Sequence, residues 1–187
     1  MKTQELTLLN GLDAARMAET VEAIKSQPAL ARFQFRARNR WIDGGVNRST
    51  IQDFYGAGRE DDSRLKPFVF TNAEPPVLLG NNEGANPVEF VLHALAGCVT
   101  TTLVLQAAAR GIRIDQLSTE LEGDLDLRGL LGLDESVSPG YEGIRIKVDV
   151  KADCSDQQLE DLLECARNRS PVFNTVSRPV PVTLERA

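Results

Sequence analysis

The segment Pro87–Arg110 (PVEFVLHALAGCVTTTLVLQAAAR) constrains this chain more than any other. Asn86 is a good N-cap, Pro87 suits the first helical position, and Glu89 stands where a capping box places its acid. Gly111 follows Arg110 as a C-terminal stop. At 1.5 Å per residue the predicted helix runs about 36 Å. Its apolar residues go nearly all the way round, so it needs cover on most sides. Phe90–Ala109 has no formal charge and meets the length of a membrane span. His93, Gln106, the run Thr100–Thr102 and alanines in place of a leucine wall favour a buried helix instead. No membrane span is expected.

The remaining elements come in pairs of strands between helices. Leu12–Ser26 carries Leu12, Ala15, Val21 and Ile24 roughly on one stripe and reads as a helix that Pro28 ends. Ala31–Trp41 alternates Phe33, Phe35 and Ala37 with polar residues, which predicts a half-buried strand. The Asp43-Gly44-Gly45 turn leads to a returning strand over Val46–Tyr55, making a hairpin. Gly56–Lys66 reads as a polar loop, Pro67–Thr71 as a short strand, and Asn72–Asn86 as the longest loop. Ile112–Leu127 and Gly143–Ala152 alternate as strands around a loop at Arg128–Gly140. Ser155–Arg169 is a second helix with Ser155 and Gln158 as capping box. Val180–Leu184 reads as a closing strand. This order favours an α+β fold with largely antiparallel sheets over a doubly wound one.

The 187 residues are ample for a hydrophobic core, and 42% hydrophobic with 26% charged residues is ordinary for a globular chain. A net charge of −6 argues against nucleic-acid binding by bulk charge. Three cysteines are too few for a disulfide scaffold, and no secretory signal is visible at the N-terminus, so a reducing cytoplasm is the expected compartment.

The chemistry-bearing residues each have a structural reading beside a functional one. Cys98, mid-helix, is either a small buried hydrophobe or a nucleophile. Its own helix offers no activating group. His93 stands about 140° and Glu89 about 180° away around the helix. His93 is the only histidine, so a histidine-based metal site is not expected. Its spacing from Glu89 suits a helical pair. Glu89 itself can bond back to the Asn86 backbone. Cys154 and Cys165 are not at a metal-pair spacing, and Cys165 lies beside an apolar helical stripe. Arg38, Arg40 and Arg48 alternate with apolar residues and are expected to face water. The run Glu60-Asp61-Asp62 reads as a solvated loop. No phosphate-binding loop, dinucleotide fingerprint, nucleophile elbow or zinc-protease motif is present. No metal and no cofactor are expected.

Taken together, Asn86–Cys98 (NPVEFVLHALAGC), Ala108–Ile112 (AARGI) and Ser170-Pro171-Val172 resemble the OsmC-like superfamily, which includes the organic hydroperoxide resistance proteins. The resemblance covers about residues 31–185. It leaves residues 1–30 as an N-terminal helical extension and 31–187 as the OsmC-like domain. It implies an intertwined homodimer, with antiparallel sheets from both chains wrapped around long central helices. It also implies that Cys98 is a peroxidatic cysteine oxidised by a hydroperoxide to a sulfenic acid. The second, resolving cysteine of the family falls on Ser170, which cannot form a disulfide. Cys165, five residues earlier, is an alternative thiol. The family's glutamate falls on Val88 in the better-known peroxidases, and Glu89 follows one place later. The family's arginine falls on Ile42, flanked by Arg40 and Arg48, and Arg48 just past the turn is the stronger candidate.

The expected activity is thiol-dependent reduction of organic hydroperoxides through Cys98, with Glu89 and Arg48 as helpers and an external thiol as reductant. The alternative is a non-catalytic or redox-sensing protein that holds a small apolar ligand on the same scaffold. A hydrolase or transferase has little support, because His93 is misplaced to serve as base for Cys98 on the same helix.

Overall fold

A computed structural model of the protein describes residues 8–186. The first seven residues of the expected extension and Ala187 lie outside the described residues. Two compact units divide the chain. One is Ala15–Phe90; the other joins the segment up to Ala14 with everything from Val91 onward.

In the Ala15–Phe90 unit, helix α1 (Ala14–Ser26) begins two residues later than the apolar stripe suggested and buries no residue. A short hairpin of β1 (Leu8–Leu9) and β2 (Leu12–Asp13) precedes it and belongs to the other unit. The expected strand Ala31–Trp41 is broken in two. β3 (Gln34–Phe35) pairs with β6 (Phe54–Gly56), while β4 (Arg38–Asp43) pairs with β5 (Val46–Ile51). The predicted return strand Val46–Tyr55 splits at the same level, at Gln52 and Asp53. Phe33 and Phe35 are 51% and 69% exposed rather than half-buried, and their rings pack against Phe54, Phe33 stacked and Phe35 tilted. Period-two spacing reports which side chains share a face, but not what covers that face.

The hairpin at Asp43 forms as expected. Asp43 pairs with Val46, and Gly44 in the two-residue turn takes φ +49°, a value that favours glycine. The polar stretch after Gly56 is not all loop: β7 (Arg59–Asp61) turns back onto β6. β8 (Phe68–Asn72) adds to β5, so the unit holds two antiparallel three-stranded sheets, β3-β6-β7 and β4-β5-β8. On one face of the second sheet Asn39 and Asn72 both donate to Asn47 Oδ1 and Ser49 Oγ.

Helix α2 (Pro87–Ala109) realises the expected start and stop. Asn86 Oδ1 accepts from the Val88 N–H, and Glu89 Oε2 accepts from the Asn86 N–H at 2.8 Å. At the other end the Ile112 and Gly111 N–H groups return to the carbonyls of Ala107 and Ala108, with Gly111 at φ +72°.

The second unit is built on this helix. β9 (Ile114–Asp124) and β10 (Gly143–Ala152) form one long antiparallel ladder. β10 alternates exposed and half-buried residues along its whole length, as its sequence predicts. Helix α3 (Leu127–Leu130) is a single turn between them, where a loop was expected. Helix α4 (Asp156–Arg169) carries the Ser155–Gln158 capping box and buries Leu162, Cys165 and Ala166. Leu162 and Ala166 join Leu95, Val99, Leu103, Ala107 and Ile112 in one core, flanked by the inward residues of β9 and β10. Asn10 ties the N-terminal hairpin to this unit: its side chain donates to the Ile112 carbonyl and accepts from the Ile114 N–H.

Two sequence expectations need correction here, and one helix comes in addition. α2 is not covered on most sides within the chain: Leu95, Val99, Thr102, Leu103, Ala107 and Ala108 are buried, while Ala94, Gly97, Thr101 and Leu105 stay exposed. A further helix, α5 (Pro171–Ser177), follows Ser170. The closing strand Val180–Leu184 does not form. That segment pairs with no strand among the described residues, and Val182 and Leu184 are 84% and 99% exposed. Pro179 and Pro181 lack the N–H groups a ladder needs.

Candidate functional site around Cys98

Cys98 sits on the half-buried flank of α2, between the buried Leu95 and Thr102 turns. Its Sγ accepts a hydrogen bond from the Val172 backbone N–H at 3.4 Å. The start of α5 explains why that donor is free. Ser170 N–H bonds the Ala166 carbonyl, and Pro171 has no N–H. Phe173 N–H goes to Ser170 Oγ at 3.3 Å. Val172 therefore holds the one early N–H of the helix that neither the chain nor the cap consumes, and the thiol takes it.

Ser170 is the hub of this arrangement. It is fully buried, caps α5 with its hydroxyl, and its carbonyl accepts from both the backbone and the side-chain nitrogen of Asn174. The position expected to carry a resolving cysteine is thus a helix cap two residues from the donor to Cys98. Cys165 is placed differently. Its thiol donates to Gln106 Oε1 at 3.3 Å, two turns along α2 from Cys98. Eight residues of helix rise about 12 Å, far beyond disulfide reach without rearrangement.

A cavity of about 540 Å³ opens beside this region, within the same unit. Leu95, Ile144, Ile146, Phe173 and Val176 give it an apolar floor, and Tyr141 stands among the polar residues of its wall. Leu95 is one helical turn before Cys98, and Phe173 follows Val172 directly. The size suits a small organic molecule.

The other expected helpers have their own local settings. Glu89 is committed to the capping box and lies nine residues from Cys98, on the opposite side of a regular helix. Arg48 is exposed on β5, in the Ala15–Phe90 unit. His93 is exposed on α2. Among the described residues no group of three or more His, Cys, Asp or Glu is arranged to hold a metal ion. Arg36 bonds Asp53 and Glu60, and Arg145 bonds Asp124 and Glu122. The Asp124 carboxyl is held below its usual range by the Arg145 hydrogen bond.

The Val172 N–H is the functional group that sequence reading missed. A signal for it was present: Ser followed by Pro is a helix start, with a capping hydroxyl and a residue lacking N–H at the first position.

Solved structures share this fold. An OsmC-like protein from Mycoplasma pneumoniae is 18% identical and superposes with a TM-score of 0.57 over 77% of this chain and 87% of that one. An organic hydroperoxide resistance protein OsmC from Legionella pneumophila is 16% identical, with a TM-score of 0.53 over 76% of this chain and 88% of that one. An organic hydroperoxide resistance protein from Elizabethkingia anophelis is also 16% identical, with a TM-score of 0.53 over 78% and 89% of the two chains. No curated protein matches the chain. The family model for OsmC-like proteins matches residues 80–185, the stretch that holds α2, its cysteine and the Ser-Pro-Val helix start. With more than half of its length matched, the chain belongs to the OsmC-like protein family.

Proposed function

We propose that this protein reduces organic hydroperoxides through Cys98, using an external thiol as reductant. The observation that carries the reading is the Val172 N–H donated to Cys98 Sγ. The donor fixes the sulfur in place on its helix, and the thiolate of such a cysteine is the nucleophile. The thiolate attacks one peroxide oxygen, the O–O bond breaks, and the other oxygen leaves as an alcohol after taking a proton. Cys98 becomes a sulfenic acid. A small thiol then displaces water to give a mixed disulfide, and a second thiol regenerates Cys98. Ser170 cannot take part in resolution, and Cys165 is bonded to Gln106. The apolar cavity beside Leu95 and Phe173 favours an organic peroxide over hydrogen peroxide.

The working unit in this reading is a homodimer in the cytoplasm. The exposed line Ala94, Gly97, Thr101 and Leu105 on α2 would be covered by a second copy. An uncovered, mostly apolar α2 meets the length and hydropathy of a membrane span, and the dimer is the reading that needs no bilayer. In that dimer Arg48, and Glu89 as a helix cap, are the residues to test as helpers of Cys98.

Purified protein treated with cumene hydroperoxide tests this directly, with mass analysis of each cysteine. Rapid oxidation confined to Cys98, lost in Cys98→Ser and kept in Cys165→Ser, is expected. Turnover in Cys98→Ser sinks the proposal. The second reading, a non-catalytic binder, draws on the cavity itself. It expects all three cysteines to stay reduced while an apolar ligand raises the thermal midpoint.

A further inference from the structure

We propose that Arg40, Arg48 and Thr71 form a binding site for a small oxyanion, a carboxylate or a phosphate, on the β4-β5-β8 sheet. The site shares Arg48 with the peroxidase reading, where that residue is a candidate helper of Cys98, but its ligand and its test need no reaction at Cys98. The register places the three residues in one row across the sheet. Arg40 is opposite Arg48, and Arg48 is opposite Thr71. Directly opposed residues of an antiparallel pair project from the same face with Cβ atoms about 4.5–5.5 Å apart. Two guanidinium groups and one hydroxyl therefore line up as donors, with no carboxylate among them.

Two like charges directly opposed weaken a sheet unless something neutralises them. The acids of this unit that have bonding partners are engaged elsewhere. Asp53 takes Arg36 and Arg38, Glu60 takes Arg36, and Glu74 takes the Asn86 side chain. Among the described residues neither Arg40 nor Arg48 meets an acid, and both are exposed. The contrast with Arg38 is sharp. It lies two residues from Arg40 on the same face, and it is paired. The opposite face of the sheet is neutral, with Asn39, Asn47, Ser49 and Asn72 bonded to one another. A chain of net charge −6 thus keeps two opposed and unneutralised arginines in one row.

Guanidinium is the group that suits a planar, bidentate oxyanion, because its N–H donors form a rigid fork. Two forks side by side reach both oxygens of a carboxylate or three of a phosphate. Thr71 adds a hydroxyl donor at the end of the row.

The test titrates inorganic phosphate and octanoate separately into the full chain at low ionic strength. The readout is the arginine Nε–H resonances. The expected result is a saturable shift of Arg40 and Arg48 together by at least one ligand. Arg40→Gln and Arg48→Gln should each weaken binding at least tenfold, and Thr71→Val severalfold. Arg32→Gln, a control elsewhere on the surface, should leave it unchanged. Saturation by phosphate alone assigns a phosphoryl ligand, and saturation by octanoate alone a carboxylate. No saturable shift, equal shifts at all exposed arginines, or full binding in either arginine variant would overturn the site. A second measurement needs no ligand. Arg40→Gln should raise the thermal midpoint at low salt, and the gain should vanish at high salt as screening removes the repulsion. A fall at low salt would mean that the pair is already neutralised, and would also overturn the site.

Discussion

Val172 donates its backbone N–H to the sulfur of Cys98 at 3.4 Å, from 74 residues further along the chain. The contact depends on α5, and α5 depends on its cap, Ser170. In the proposed reaction, reactivity at Cys98 would therefore be tied to a residue that never touches the substrate.

Ser170→Cys should restore internal resolution. Residue 170 is two positions from the donor to Cys98, so a thiol there stands next to a sulfenic acid. One equivalent of hydroperoxide should join Cys98 to the introduced thiol in a disulfide, seen as the loss of two hydrogens in the intact mass. The lost cap should cost about 1 kcal/mol before oxidation, measured by denaturant unfolding. An oxidised product that stays a sulfenic acid would show that α5 holds residue 170 out of reach.

Gly97→Leu should separate fold from assembly. A Cβ at Gly97 meets nothing within 4 Å in the chain, so a larger side chain there fits a lone chain. In the proposed homodimer it would collide with the partner. Sedimentation should show a dimer for the natural protein and a monomer for the variant, with far-ultraviolet circular dichroism unchanged. An unchanged dimer would move the interface off this helix face.

Asn10→Ala should release the N-terminal hairpin. It removes the bonds of the side chain to the Ile112 carbonyl and the Ile114 N–H, at 2.9 and 2.8 Å. Leaving those half-buried groups without partners costs about 1–3 kcal/mol. Hydrogen exchange should accelerate at the Ile114 amide and leave the middle of β9 protected.

Acid should loosen the β3-β6-β7 sheet first. Arg36 bridges Asp53 and Glu60, which join different strand regions of that sheet. The Asp53 carboxyl is held below its usual range chiefly by the Arg38 hydrogen bond, then by its own backbone and Arg36. Glu60 is held down chiefly by Arg36. A depressed carboxylate contributes stability that is present above the ordinary carboxylate range and lost as pH falls through the folded value. Protection of the Phe54–Gly56 amides, corrected for the intrinsic pH dependence of exchange, should therefore fall as pH drops below that range. Arg36→Gln should weaken the pH dependence while changing neutral-pH stability little, since exposed pairs are weak.

The elements legible in the sequence are those fixed by neighbours a few residues away. α2 announced itself through Asn86, Pro87, Glu89 and Gly111, α4 through the Ser155–Gln158 box, and β10 through strict alternation. Each signal is a local hydrogen bond or a helix or strand period, and both are complete within the segment that carries them. The family likeness rests on the same stretch, and the peroxide chemistry it suggests is a matter for the oxidation experiment. The tertiary structure decided what depends on distant partners. It broke the run from Ala31 to Trp41 between two sheets and left Phe33 and Phe35 in solvent. It found no strand partner for Val180–Leu184 among the described residues, and it brought the Val172 N–H to Cys98 while sending Cys165 to Gln106. Periodicity tells which side chains share a face. Only the packed chain determines what lies against that face and which backbone donor is left over to meet a thiol.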